Sequence, residues 1–430
     1  MRGDQLPLLK TRIPGPRSRA LAGELHRYES RNITYVARRW PIFWKRAAGA
    51  NVWDVDGNRY VDLTAGFGVA SVGHNNSRVV AAIHAQAQQL MHAMGDVHPN
   101  ELKVRLAREL VELTFGRWRS RVSPDRGPKS PGRVIFVNSG AEAVEAALKT
   151  AAIHTRRPGV IAFEGGYHGL TYGALDATWR ADFRTPFSKQ LGHFTAHVPY
   201  GRTPEVAHIE NYGAVLVEPI QGRGGIVVPP DDFLPRLRQF CDRHGLVLIF
   251  DEIYTGFCRT GRWFACEHWN VVPDVVCVGK GMTGGFPMAA CVGRTKVMDS
   301  WPESDGEAIH TSTFLGNPLG CAASLAAIAE MKRLRLDARA EELGAYVISV
   351  AASAKRARWS MPLQVRGKGL MLGFELRDAS RLCEQLLPRG ILALPEGGEG
   401  EVLGFTPPLV ITERQLDYCV TQVTRLVSAR

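Results

Sequence analysis

The chain has 430 residues, 45% of them hydrophobic and 22% charged, with a formal net charge of +11; this is ordinary for a globular protein with room for more than one core. No window approaches the roughly 18 apolar residues of a membrane helix and the start lacks the apolar core of a secretory signal, so a cytoplasmic location is expected. Residues 1–50 hold 11 Lys+Arg against 3 Asp+Glu, a surplus scattered among Pro, Leu and Trp with no nucleic-acid motif; this favours a solvated or subunit-packing segment over a nucleic-acid arm.

In chain order, Asn51 to Asp62 reads as a hairpin, with Trp53-Asp54-Val55 and Arg59-Tyr60-Val61 flanking a turn at Asp56-Gly57. From Pro131 to about Leu334, short apolar runs alternate with helical patterns, the signature of βαβ units and a mostly parallel sheet. Strands are expected at Val134–Val137, Val160–Phe163, Ala214–Val217, Leu246–Phe250, Val275–Val278 and Ala289–Val292. Their runs are continuous instead of alternating, as when helices cover both faces of a sheet. An amphipathic helix is expected from Phe233 to His244, stopped by Gly245, and another from Asn317-Pro318 to about Leu334.

Chemistry-bearing residues cluster where these runs end. Asn138-Ser139-Gly140-Ala141-Glu142 follows the first run, and Ser139 with Glu142 has capping-box spacing. That is either an ordinary capped helix or a helix start whose open N–H groups bind a phosphate. Gly165-Gly166-Tyr167-His168-Gly169 places a ring on a sheet-top loop, where Tyr167 packs structurally or stacks on a planar cofactor. Glu218 and Asp251 each end an apolar run, and such a carboxylate keeps a pyridine nitrogen protonated. Neither has His neighbours at a metal-ligand spacing, so no metal is expected. Lys280 ends Val275-Val276-Cys277-Val278-Gly279 and enters a glycine-rich turn; desolvation there drives an amine toward its neutral, nucleophilic form. Glycine follows it, which excludes a P-loop. His310-Thr311-Ser312-Thr313 precedes the last helix, either as caps or as a second set of phosphate donors. The eight cysteines lack CxxC spacing and read as buried thiols of a reducing compartment.

Taken in order, these segments resemble the class III, or omega, aminotransferases, which are pyridoxal-phosphate enzymes of fold type I. The resemblance runs from Trp53-Asp54-Val55-Asp56-Gly57 through Asn138-Ser139-Gly140-Ala141-Glu142, Tyr167-His168-Gly169, Glu218-Pro219, Asp251-Glu252-Ile253-Tyr254-Thr255-Gly256-Phe257, Lys280 and Thr313-Phe314-Leu315-Gly316-Asn317-Pro318 to Pro407-Pro408-Leu409. It implies an α/β fold: a large domain with a mostly parallel seven-stranded sheet, plus a smaller α+β domain built from both termini. The expected division is 1–75 joining the small domain, 76–332 as the large domain and 333–430 as the C-terminal small domain. The resemblance also implies pyridoxal 5'-phosphate as cofactor, with Lys280 as Schiff-base lysine and Asp251 paired with the pyridine nitrogen. Tyr167 would cover the ring, Ser139, Gly140 and Ala141 would line the phosphate site, and Glu218 and Tyr254 would border the cofactor. Thr313 would reach the phosphate of a neighbouring subunit's cofactor, which makes the chain a homodimer. The implied activity moves an amino group between an amine or ω-amino acid and a keto acid or aldehyde by a ping-pong route.

Three residues depart from that pattern. Many members carry a carboxylate-gripping arginine three residues before the Pro-Pro-Leu element, and Gly404 stands there. Glu218 thereby loses the arginine's company, and Tyr254 takes a place more often held by glutamine. Arg223, in Gln221-Gly222-Arg223-Gly224-Gly225, is either a solvated loop residue or the replacement for the missing grip. Phe67, Gly68 and Trp301 are further candidates for pocket walls. Two other functions fit the scaffold: an amino-acid racemase or epimerase, which would release a proton without moving nitrogen, and a catalytically silent binding protein, which would hold no cofactor.

Overall fold

The computed structural model describes residues 3–34, 41–118, 131–356, 364–376 and 378–428. The expected hairpin forms as β2 (Asn51–Asp54) and β3 (Arg59–Asp62), with β1 (Trp44–Ala48) beside β2. Its turn is held by Asp54, whose Oδ1 accepts the Asn58 N–H at 2.8 Å. The six apolar runs become β4 (Gly132–Val137), β5 (Gly159–Phe163), β7 (Tyr212–Val217), β8 (Val247–Asp251), β9 (Val275–Val278) and β10 (Ala289–Arg294), and a seventh strand, β6 (Thr195–Val198), lies at the edge. The C-terminal part adds β11 (Gln364–Lys368), β12 (Met371–Glu375), β13 (Ile391–Leu392), β14 (Leu394–Glu396) and β15 (Val402–Phe405).

The large sheet has the order β4-β10-β9-β8-β7-β5-β6. Its neighbours from β9 to β6 pair in parallel, and β10 runs antiparallel to both β9 and β4. Continuous apolar runs are what such a two-sided sheet requires. Along β8, Val247 and Ile249 pack on one side with Ala143, Ala147 and Ala151 of the helix Gly140–Thr155, while Leu248 and Phe250 face the other side with Phe233 and Leu237 of the helix Phe233–His244. That second helix ends at Gly245, whose φ of 62° is the left-handed conformation a C-terminal glycine supplies. The helix Pro318–Leu334 starts as expected, with Asn317 Oδ1 accepting the N–H groups of Leu319 and Gly320.

A second, antiparallel sheet has the order β11-β12-β15-β14. The N-terminal hairpin reaches the C-terminal segment through β13, which pairs in parallel with β3 at Ile391 and Val61. All eight cysteines are buried and free. Among the described residues no helix is long and apolar enough to cross a membrane, and no group of His, Cys, Asp or Glu could hold a metal ion.

Candidate active site

The carboxyl ends of β7, β8 and β9 deliver Glu218, Asp251 and Lys280 to one edge of the sheet, the place where open α/β sheets bind ligands. Asp251 stands opposite Cys277 in the β8–β9 register, three residues before Lys280. Lys280 itself has a φ of 42°, a left-handed backbone on a residue with a long side chain. Such a conformation costs on the order of 1–3 kcal/mol and marks a place where geometry is used. Its Nζ lies 4.3 Å from the centroid of the Tyr254 ring. Burial pulls the amine below its ordinary range, against the opposing pull of the carboxylates of Asp251, Glu218 and Glu396.

Two adjacent residues of one loop tie two of these strand ends together. The Tyr167 N–H donates to Glu218 Oε1 at 3.0 Å, and His168 Nδ1 lies 2.8 Å from Asp251 Oδ2. His168 and Asp251 are both buried, at 3% and 4% exposure, so each depends on the other for polar company. The second Asp251 oxygen accepts the Ile253 N–H at 3.1 Å. Glu218 also accepts the Gly222 N–H at 3.0 Å. No arginine pairs with it among the described residues; this carboxylate anchors two loops through their backbones, and desolvation pushes it up to about 7. The Tyr167 ring meets Phe183 edge-on at 5.9 Å, with the Arg223 guanidinium carbon 5.0 Å from the tyrosine's centroid.

The helix Gly140–Thr155 begins beside this cluster. Ser139 Oγ accepts the Glu142 N–H at 3.3 Å, while Glu142 reaches back to the Asn138 N–H at 2.8 Å, one residue earlier than a strict capping box. The Gly140 and Ala141 N–H groups find no partner among the described residues. They are two open donors at the positive end of a helix. Contacts join them to the rest: a Cβ at Gly169 would lie 2.5 Å from that of Ala141, and one at Gly140 would lie 2.9 Å from Ile253 Cδ1. Ile253 in turn approaches Gly279, next to Lys280. The cluster thus offers an amine, a strand-end carboxylate held by an imidazole, an aromatic ring and a helix start with two open N–H donors. These residues fit a phosphorylated pyridine aldehyde, and the two unbonded N–H groups are the observation that matches its phosphate.

Tyr254 occupies a slot made by glycines. A Cβ at Gly222 would fall 2.4 Å from its Cδ1, and one at Gly68 would fall 2.5 Å from its Cε2. Its hydroxyl is engaged with Thr406 Oγ1 at 3.1 Å. Of the other candidates, Phe67 is exposed on the short helix Ala65–Gly68, which packs against the Lys280 turn, and Trp301 donates to Thr150 Oγ1 at 2.9 Å and packs near His310. Thr313 is exposed, although its neighbour Ser312 accepts a 3.3 Å bond from Asn138 Nδ2 beside the helix start. Two residues of the cluster were given no role from the sequence. His168 had a signal, since it follows Tyr167 on a sheet-top loop; Glu396 had none, because it comes from a distant strand, β14.

A family model described as aminotransferase class-III matches residues 34–427. The acetylornithine aminotransferase of Methanopyrus kandleri is 40% identical over 394 residues, covering 91% of this chain and 95% of its own. The 4-aminobutyrate aminotransferase of Mycobacterium bovis is 35% identical and covers 95% of both chains. Among solved structures, the ornithine aminotransferase from Toxoplasma gondii superposes with a TM-score of 0.84 at 32% identity, covering 98% of this chain and 95% of that one.

Proposed function

Because the chain belongs to the class III aminotransferase family and is a pyridoxal-phosphate-dependent transaminase, we propose that Lys280 is the lysine that carries its cofactor and that Asp251 is the counter-charge of the pyridine nitrogen. The observation that carries this assignment is the meeting of the left-handed, desolvated Lys280 with the His168–Asp251 pair and the open N–H groups of Gly140 and Ala141. When bound, pyridoxal phosphate supplies an electron sink for the pair of electrons left as a C–H proton departs. The chain's residues do the rest. Gly140, Ala141 and Ser139 would hold the phosphate, the Tyr167 ring would cover the pyridine, and Tyr254 and Glu218 would border the cofactor. His168 fixes the Asp251 carboxylate in place. Lys280 Nζ, kept toward its neutral form by burial, accepts the proton from the amine-bearing carbon of the donor and later gives one back.

Transfer alternates between an amine or amino acid and a keto acid or aldehyde, and the relatives, themselves transaminases, leave a racemase reading without support. Arg223, whose guanidinium lies over Tyr167 at the edge of the cluster, is our candidate for gripping the keto acid's carboxylate. The proposed division is 1–75 with 333–430 as the small domain and 76–332 as the large one, which the β3–β13 pairing supports. We place the protein in the cytoplasm, where eight free thiols stay reduced. A homodimer is proposed in which Thr313 reaches the partner's phosphate site; exposed Phe67, Met91, Met94, Val97 and Phe314 supply apolar surface for it. The assignment is tested by supplying a panel of amines with a keto acid and following nitrogen transfer. Wild type should transfer and Lys280→Ala should not; unchanged transfer by the variant would overturn it.

A further inference from the structure

The residue missing at position 404 has been replaced by something of opposite charge. β14 and β15 pair antiparallel, and a Cβ at Gly404 would fall 3.0 Å from Glu396 Cγ and 3.6 Å from its Oε1. The glutamate therefore lies over the place from which a carboxylate-gripping side chain would start. Glu396 is 8% exposed, and its carboxylate has no hydrogen bond and no ion pair within 4.0 Å among the described residues. The other buried carboxylates of this region are satisfied: Glu218 by the Tyr167 and Gly222 N–H groups, Glu252 by those of Ala265 and Cys266 at 2.9 and 2.8 Å.

The turn carrying Glu396 is fastened to the site. The Gly397 N–H donates to the Arg223 carbonyl at 3.1 Å, and Arg180 Nη2 donates to the Gly398 carbonyl at 3.2 Å. The nearest cationic side chains do not close on the carboxylate, because the Arg223 guanidinium lies over Tyr167 and Phe183. The Gly397–Arg223 bond nevertheless sets the Glu396 turn beside the residue whose guanidinium covers Tyr167, and the Glu396 charge is felt at Lys280 and Tyr254. A carboxylate that keeps only a little of its water and has no protein partner among the described residues is poorly solvated, and a cationic ligand is what improves its surroundings. A substrate carboxylate at the same spot would be repelled.

We infer that Glu396 is a specificity residue that receives a second positive charge on the amino donor, so that the preferred donors are aliphatic diamines instead of amines ending in a carboxylate. The inference rests on the cofactor being held at Lys280. The test compares kcat/KM for 1,4-diaminobutane, pentylamine and 4-aminobutyrate with one keto acid, in wild type, Glu396→Gln and Glu396→Asp. Wild type should favour the diamine over both others. Glu396→Gln should lose about 10- to 100-fold with the diamine, mostly in KM, with a much smaller change for pentylamine, and Glu396→Asp should recover part of the loss. Equal losses for diamine and monoamine, or a wild type that favours 4-aminobutyrate, would overturn the inference while leaving the Lys280 site intact. No transfer from any donor would overturn both.

Discussion

Replacing Asp251 by Asn removes one charge while keeping the shape of the site. Asparagine retains an oxygen for the Ile253 N–H but loses the acceptor that faces His168 Nδ1 at 2.8 Å, so the imidazole must change tautomer or turn. The expected loss follows from what the carboxylate does for the pyridine nitrogen. A hydrogen bond to a charged group is worth about 1.5–3 kcal/mol, which is roughly 10- to 150-fold in kcat, before any added cost of a weakened electron sink. The assay is steady-state kcat with saturating amine, keto acid and added cofactor, beside thermal unfolding to show that the buried strand end is intact. A variant with normal cofactor content and a kcat within about twofold of wild type would refute the argument. It would mean that the His168–Asp251 pair only braces the loop to the sheet.

Gly222→Ala should destabilise the protein by about 1–3 kcal/mol in denaturant unfolding, because Tyr254 is held between Gly222 and Gly68 and has nowhere to retreat; wild-type stability would show that the ring has room. Burial holds the Glu218 carboxyl above its ordinary range, so the native state binds an extra proton over that window. Its contribution to stability is full below the ordinary value and is lost as pH rises through the raised one. Cofactor-free Glu218→Gln should therefore show a flatter stability profile across that window, and an unchanged slope would place the proton elsewhere. Arg223→Ala should raise the keto-acid KM about tenfold or more with a smaller effect on the amine, and an unchanged KM would leave the guanidinium as a stacking group over Tyr167.

What the sequence made legible was the part of the fold set by local periodicity and strand ends. Val247 to Phe250 announces a two-sided strand because every residue in it meets a core on one face or the other. β6 was not legible, since Thr195-Ala196-His197-Val198 is a half-exposed edge strand with a mixed pattern. The residues proposed for the cofactor half of the site were readable for the same reason, as Glu218, Asp251 and Lys280 each end an apolar run. The substrate half was not. Glu396 comes to Gly404 only through the β14–β15 pairing, and nothing within a few residues of Glu396 signals that its carboxylate will lack a partner among the described residues. The Tyr254 slot likewise depends on two glycines far apart in the chain, Gly68 and Gly222.

The most direct test of the account is where the cofactor attaches. Reducing the holoenzyme with borohydride and mapping its peptides by mass should place the pyridoxal-phosphate mass on Lys280, with Lys280→Ala carrying none. Attachment to another lysine, or a wild-type protein that takes up no cofactor mass, would contradict the assignment of the site.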